Sequence, residues 1–196
     1  MDEPRTARGR ATRAAIVETA AGLMYARGVR ATSLDDILTA AGCGKSQLYH
    51  YFGDRRGLLA AVVDYQLELV LGHQSRFELD TWSGLRAWFD ALVARQQEQG
   101  FRGCPLGSLI AELLAEDDAL RDVVTAAFAC WQQTLVVAFN RMRVTGRLSR
   151  SARPDQLARH VLSAIQGGYL LSTVRRDPEP MREALNAAFQ HLRDRR

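Results

Sequence analysis

Apolar residues recur at three- and four-residue intervals along most of the chain. Ile16, Ala20, Leu23 and Met24 follow an i, i+4, i+7, i+8 stripe, the mark of an amphipathic helix. Arg27-Gly28 places a glycine where such a helix ends. Thr32-Ser33-Leu34-Asp35-Asp36 opens a second helix. Ser33 suits the N-cap and Asp36 suits the dipole, although a capping box prefers Glu or Gln at that third position. Ala41-Gly42-Cys43-Gly44 predicts a tight turn. A short helix over 45–51 follows, and Gly53-Asp54 breaks the chain before a long amphipathic helix over 56–73.

The same spacing continues beyond. Ser83 is expected to cap a helix through Glu98, with Leu85, Trp88, Phe89 and Leu92 on one face. Gly100, Gly103 and Pro105 interrupt it. Helices are expected over 106–115 and 119–144, the second ending at Gly146. Pro154-Asp155 starts one that reaches 174, and Pro178 and Pro180 start the last, ending near Leu192. No strand alternation appears. The pattern predicts an all-α chain of about nine helices, divided near residue 55 into an N-terminal three-helix part, 1–55, and a helical remainder, 56–196. That boundary falls inside a continuous helical run rather than at a linker.

Composition narrows the class. With 196 residues, 47% of them hydrophobic and 24% charged, the chain has enough apolar material for a core without metal or disulfide staples. No run of 18 apolar residues predicts a membrane span. The stretch Met1–Arg13 has no apolar segment behind its charges, so a secretory signal is not expected and a cytoplasmic protein is. The net charge is +4, and residues 1–56 hold nine Arg/Lys against six Asp/Glu. Arg5, Arg8, Arg10 and Arg13 crowd the start. Such a basic arm suits a polyanion, or is simply a solvated tail. Cys43, Cys104 and Cys130 form no CxxC pair, and the four histidines are scattered, so no metal site and no cofactor are expected. No nucleophile–base spacing or phosphate loop appears, so an enzyme is not expected, Cys104 with a distant His being the residual candidate.

Residues 33–52 carry the functional signal. A helix over 34–41 is joined by a Gly-containing turn to a helix over 45–51, and Ile37, Leu38 and Ala41 can close on Leu48 and Phe52. The second helix then presents Lys45, Ser46, Gln47, Tyr49, His50 and Tyr51, nearly all hydrogen-bond donors, beside free N–H groups at its start. That layout suits a recognition helix in a DNA major groove, with Lys and Tyr on phosphates and Ser and Gln on base edges. Two short helices with polar outer faces would satisfy the same pattern.

Gly28, Thr32, Ser33, Ala41, Gly42, Leu48, Tyr49, Phe52, Leu58 and Leu59 stand in the register of one family. Over residues 10–62 the chain closely resembles the DNA-binding domain of TetR-family regulators. The resemblance implies a helix-turn-helix domain followed by a ligand-binding and dimerisation domain. It also implies a repressor that binds palindromic double-stranded operators as a homodimer and is released by an effector. By position it assigns DNA contacts to Thr32, Ser33, Lys45, Ser46, Gln47, Tyr49, His50, Tyr51 and Arg55. Cys43 and Gly44 depart from the family's aliphatic-then-hydroxyl turn. Cys43 can fill the aliphatic place. Gly44 keeps a tolerable cap and loses a hydroxyl.

The resemblance also implies an effector pocket. Trp88, Leu92, Cys104, Leu109, Leu113, Phe128, Trp131, Gln132 and Leu135 are the expected lining, apolar apart from Gln132, which suits a small apolar or electrophilic effector. Trp131, Leu135 and Phe139 repeat at four-residue spacing, which equally suits a core stripe. Gly103-Cys104-Pro105-Leu106-Gly107-Ser108-Leu109 looks like a motif of one family branch. Cys104 before a helix start suits a reactive thiol, and equally a small buried residue in a tight turn. Leu157, Val161, Ile165, Gly168, Tyr169, Met181, Leu185 and Phe189 are expected to build a four-helix dimer interface; packing within one subunit is the other reading. An activator and a sensorless architectural DNA binder remain as alternatives.

Overall fold

The structure is a computed structural model that describes Pro4 and residues 6–195, without the side chains of Ala111, Ala115 and Glu116. Among the described residues it contains nine α-helices and no strand: α1 (Ala7–Arg27), α2 (Leu34–Ala41), α3 (Lys45–Phe52), α4 (Arg55–Gln74), α5 (Trp82–Glu98), α6 (Gly107–Glu116), α7 (Arg121–Val144), α8 (Pro154–Arg175) and α9 (Glu179–Arg193). A 3-10 turn, Asp118–Leu120, leads into α7.

Local chemistry explains the boundaries. Ser33 caps α2 in a reciprocal box: the Asp36 N–H donates to Ser33 Oγ at 3.1 Å, and the Ser33 N–H donates to Asp36 Oδ2 at 2.9 Å. Aspartate therefore completes a box in which Glu or Gln is the commoner residue. The hydrogen bonds from Ser33 hold the Asp36 carboxyl below the usual carboxylate range. Helix α5 begins earlier than expected. Its N-cap is Thr81, whose Oγ1 accepts from the Gly84 N–H at 3.0 Å, and Ser83 lies inside the first turn. Arg8, Arg10 and Arg13 are not a frayed tail but the first turns of α1, capped by Thr6. Arg5 lies outside the described residues.

Packing divides the chain into two compact units. One comprises residues up to Val70 together with Pro105–Ala127; the other comprises Leu71–Cys104 and Phe128–Arg196. In the first, α1 packs on α2, α3 and α6, and Ile16, Ala20, Met24, Ile37, Leu48, Phe52, Leu58 and Val62 are buried. In the second, α8 lies along α9, and α5 packs on α9. The core of this second unit satisfies its polar groups internally. The Trp131 indole N–H donates to Gln74 Oε1, Gln74 Nε2 donates to Thr134 Oγ1, and Thr134 Oγ1 donates to the Trp131 carbonyl, each at 2.7 Å.

The expected dimer stripe is spent inside the subunit. Leu157, Val161, Ile165, Gly168, Tyr169, Met181, Leu185 and Phe189 are all buried in a single chain, because the larger apolar faces of α8 and α9 pack against each other and the second unit's core. What α8 leaves outside is Leu170, Leu171 and Val174, with relative exposures of 64%, 49% and 73%.

The segment Asp118–Val144 has the length and mean hydropathy, 1.3, of a membrane-spanning helix by composition. Its buried positions, Leu120, Val124, Ala127, Trp131, Leu135, Ala138, Phe139 and Met142, fall at helical spacing, so a core-facing stripe accounts for much of that hydropathy.

Candidate nucleic-acid interface

The turn between α2 and α3 begins with backbone hydrogen bonds at the end of α2. Gly42 is left-handed at φ 62°, ψ 34°, a conformation that glycine reaches without steric cost. Its N–H donates to the Thr39 carbonyl at 3.3 Å, and the Cys43 N–H donates to the Leu38 carbonyl at 3.1 Å. This is a Schellman motif, which stops α2 and turns the chain sharply. Cys43 is half-buried and burial pushes its thiol up, so it serves as a small hydrophobe rather than a thiolate. Gly44 then caps α3 without a side chain, and Gln47 compensates: its Oε1 accepts from the Gly44 N–H at 3.2 Å.

Leu48 and Phe52 are buried, which fixes the roll of α3 and leaves Lys45, Ser46, Gln47, Tyr49 and His50 exposed. Tyr51 is half-buried, its ring edge-on to His50 and to Phe52 at centroid distances of 5.1 and 6.3 Å. Lys45 Nζ lies 3.2 Å from Asp35 Oδ1, and both side chains are well exposed. Such a pair contributes little and leaves the ammonium exchangeable for a phosphate. Ser33 is exposed, with its hydroxyl engaged to Asp36 at 2.6 Å.

Two expected contact residues are turned to other work. Thr32 is 1% exposed, and its hydroxyl donates to the Gly28 carbonyl at 2.8 Å. Arg55 sends Nη1 to the Thr32 carbonyl at 3.1 Å and Nη2 to the Val29 carbonyl at 3.0 Å. Both hold the turn before α2, because the hydroxyl and guanidinium find backbone carbonyls within the fold. The register of the motif marks these positions but does not separate a residue facing DNA from one bracing the residues that do. In α1, Arg13 sits over the Phe52 ring at 5.2 Å, so one arginine of the basic start packs on α3.

The expected effector lining is mostly core. Trp88, Leu92, Cys104, Leu109, Leu113, Trp131 and Leu135 are buried, and Phe128 is half-buried. Gln132 is half-buried and its Nε2 donates to Asp155 Oδ1 at 2.9 Å. Gln166 Nε2 lies 3.6 Å from the Cys104 sulfur. Leu109 and Leu113 belong to the first unit and the other lining residues to the second. A cavity of about 400 Å³ in the second unit is bordered by Leu71, Gln74, Phe77, Leu79, Thr134, Val137, Ala138 and Arg141, and by none of the expected lining. Gln66 belongs to no motif of the chain. It is 4% exposed on α4, and its Oε1 accepts no hydrogen bond among the described residues. A polar residue in register with Leu59, Val62 and Val63 was the signal available.

Comparison with known proteins agrees with this geometry. Residues 16–62 match the family described as bacterial regulatory proteins of the tetR family, and residues 82–187 match the C-terminal domain of LmrA/YxaF-like transcriptional regulators. A helix-turn-helix transcriptional regulator from the lacX 3' region of Lactococcus lactis subsp. lactis is 32% identical over 174 residues, covering 86% of each chain. The transcriptional repressor DhaR of Mycobacterium sp. strain GP1 is 24% identical, covering 90% of each chain. Among solved structures, a regulatory protein TetR from Rhodobacter sphaeroides superposes with a TM-score of 0.79 at 23% identity, covering 92% of this chain and 98% of that one. A helix pair joined by a Schellman turn, two matched family domains and near full-length relatives lead to one conclusion: the chain belongs to the TetR family of helix-turn-helix, DNA-binding transcription regulators.

Proposed function

We propose that the protein is a repressor that binds a palindromic operator as a homodimer and releases it when a small apolar molecule binds its C-terminal part. The observation that carries the DNA half is the start of α3, where Ser46 and Gln47 are exposed on a helix whose roll is locked by buried Leu48 and Phe52. Ser46 and the free amide of Gln47 are assigned to base edges; Lys45, Tyr49, His50, Tyr51 and Ser33 are assigned to the phosphate backbone. Thr32 and Arg55 support these contacts from behind. Residues 1–55 form the reading head and 56–196 the regulatory part. The repressor reading is supported by the name of the DhaR relative.

The dimer is assigned to the outer face of α8 rather than the stripe first expected. Leu170, Leu171 and Val174 form an exposed apolar patch, and such patches mark association sites. Two half-sites about 34–36 Å apart, or a multiple, would then match the symmetry. The effector half is supported by Gln66, whose Oε1 accepts no hydrogen bond among the described residues and offers a polar anchor to an otherwise apolar occupant. A thiol-based sensor at Cys104 is the second effector reading, and burial of that sulfur weighs against it.

Selection from random duplexes tests the proposal. A palindrome should emerge, and Gln47→Ala should weaken the palindrome by about tenfold while changing random-sequence binding little. Equal losses on both duplexes would reject the base-reading role of Gln47.

A further inference from the structure

Two polar ties run from one short segment to the two ends of the DNA-reading motif. At the near end, Glu112 on α6 places Oε2 2.8 Å from the Val29 N–H and 3.2 Å from the Arg30 N–H. These N–H groups belong to the turn between α1 and α2. At the far end, Asp117, just after α6, accepts from Nε of Arg56 at the start of α4. Arg55 closes the ring by donating to the Val29 and Thr32 carbonyls. Residue Val29 is thus held on both sides, its N–H by Glu112 and its carbonyl by Arg55. Helices α2 and α3 are strung between these holds. Gly28 leaves room for the carboxylate, since a Cβ there would stand 3.0 Å from Glu112 Oε2.

We infer that Glu112 is a positioning residue for DNA recognition: its carboxylate fixes the turn that aims α2 and α3, and Asp117 adds a weaker hold at the other end. The inference rests on the operator-binding reading above and goes beyond it, because Glu112 lies outside the helix-turn-helix. The two ties differ in strength for a physical reason. Val29 is 0% exposed, so removing Glu112 strands a buried N–H, while a carboxylate on two N–H groups makes charge-assisted bonds. Arg56 and Asp117 are solvent-accessible, so water and salt can replace their pairing.

The test uses the full chain with Glu112→Ala, Glu112→Asp, Glu112→Gln and Asp117→Ala. Affinities for the selected operator and for random duplex are measured where each variant is fully folded. Glu112→Ala should lose about tenfold or more on the operator and little on random duplex. Glu112→Asp, one methylene too short to span both N–H groups, should lose part of that, which keeps the test intact if the alanine variant folds poorly. Glu112→Gln keeps an acceptor oxygen without the charge and should recover part of the affinity. Asp117→Ala should change it by less than about threefold. Hydrogen exchange at the Val29 and Arg30 amides should accelerate in Glu112→Ala without DNA. Wild-type operator affinity in Glu112→Ala, equal losses on both duplexes, no recovery with Gln, or unchanged exchange at Val29 would each overturn the inference. A wild-type chain that selects no duplex while Glu112→Ala still frees the Val29 amide would sink the operator reading and leave the clamp standing.

Discussion

Gly168 of α8 lies against the main chain of Met181 on α9: a Cβ at residue 168 would stand 3.0 Å from the Met181 Cα. The helices meet that closely because one of them carries no side chain there. Gly168→Ala is therefore expected to force the pair apart and to cost about 1–3 kcal/mol by overpacking. Its neighbour Gly167 has no heavy atom within 4 Å of the equivalent position, so Ala there should be neutral or stabilising by up to about 1 kcal/mol for the subunit. Urea denaturation of the two variants compares them directly, and equal destabilisation would contradict the close-approach role of residue 168.

Leu170→Glu addresses the outer face of the same helix. Leu170 is exposed in the single chain, so the substitution should leave subunit folding intact. If that face joins two copies, burying a glutamate against Leu171 and Val174 of another molecule would shift sedimentation toward monomer and weaken operator binding. A dimer of unchanged affinity would move the interface elsewhere.

The His160 and His191 rings lie tilted against each other at 43°, with centroids 4.6 Å apart. Burial, and then the His191 charge, hold the His160 imidazole below its ordinary value. The neutral form is thus favoured in the folded state. The stabilisation is present above the unfolded value of about 6.5 and is lost as pH falls through the lower folded value. Thermal melts of the wild type should drop more between pH 8 and pH 5.5 than those of His160→Gln. Parallel curves would show that the pair does not titrate with folding.

Thiol labelling of the native protein should proceed in the order of exposure. Cys130 is exposed, Cys43 is half-buried with its thiol pushed up by burial, and Cys104 is buried, so Cys130 should react first and Cys104 last. Fast labelling at Cys104, with loss of operator binding that Cys104→Ser prevents, would restore the electrophile-sensor reading.

Much of this molecule is written in short-range pattern. The stripe Ile16, Ala20, Leu23, Met24, the cap at Ser33 and the glycine at 42 each act within a few residues, so helix positions and the recognition motif can be read from neighbours alone. Ser83 and Thr81, two residues apart, offer the same capping hydroxyl, and only the backbone's path chooses Thr81. What local pattern leaves open depends on distant partners. Periodicity shows that Leu157, Val161 and Ile165 share a face but not whether α9 or another molecule covers it. The family register marks Thr32 and Arg55 without revealing that the carbonyls of Gly28, Val29 and Thr32 claim them. Glu112 carries no local signal, because its partners lie 82 and 83 residues away. Neighbouring residues thus suffice for the helices and the helix-turn-helix. Which polar groups and which apolar face stay exposed is set by long-range packing, since each is what remains after distant partners have taken their share.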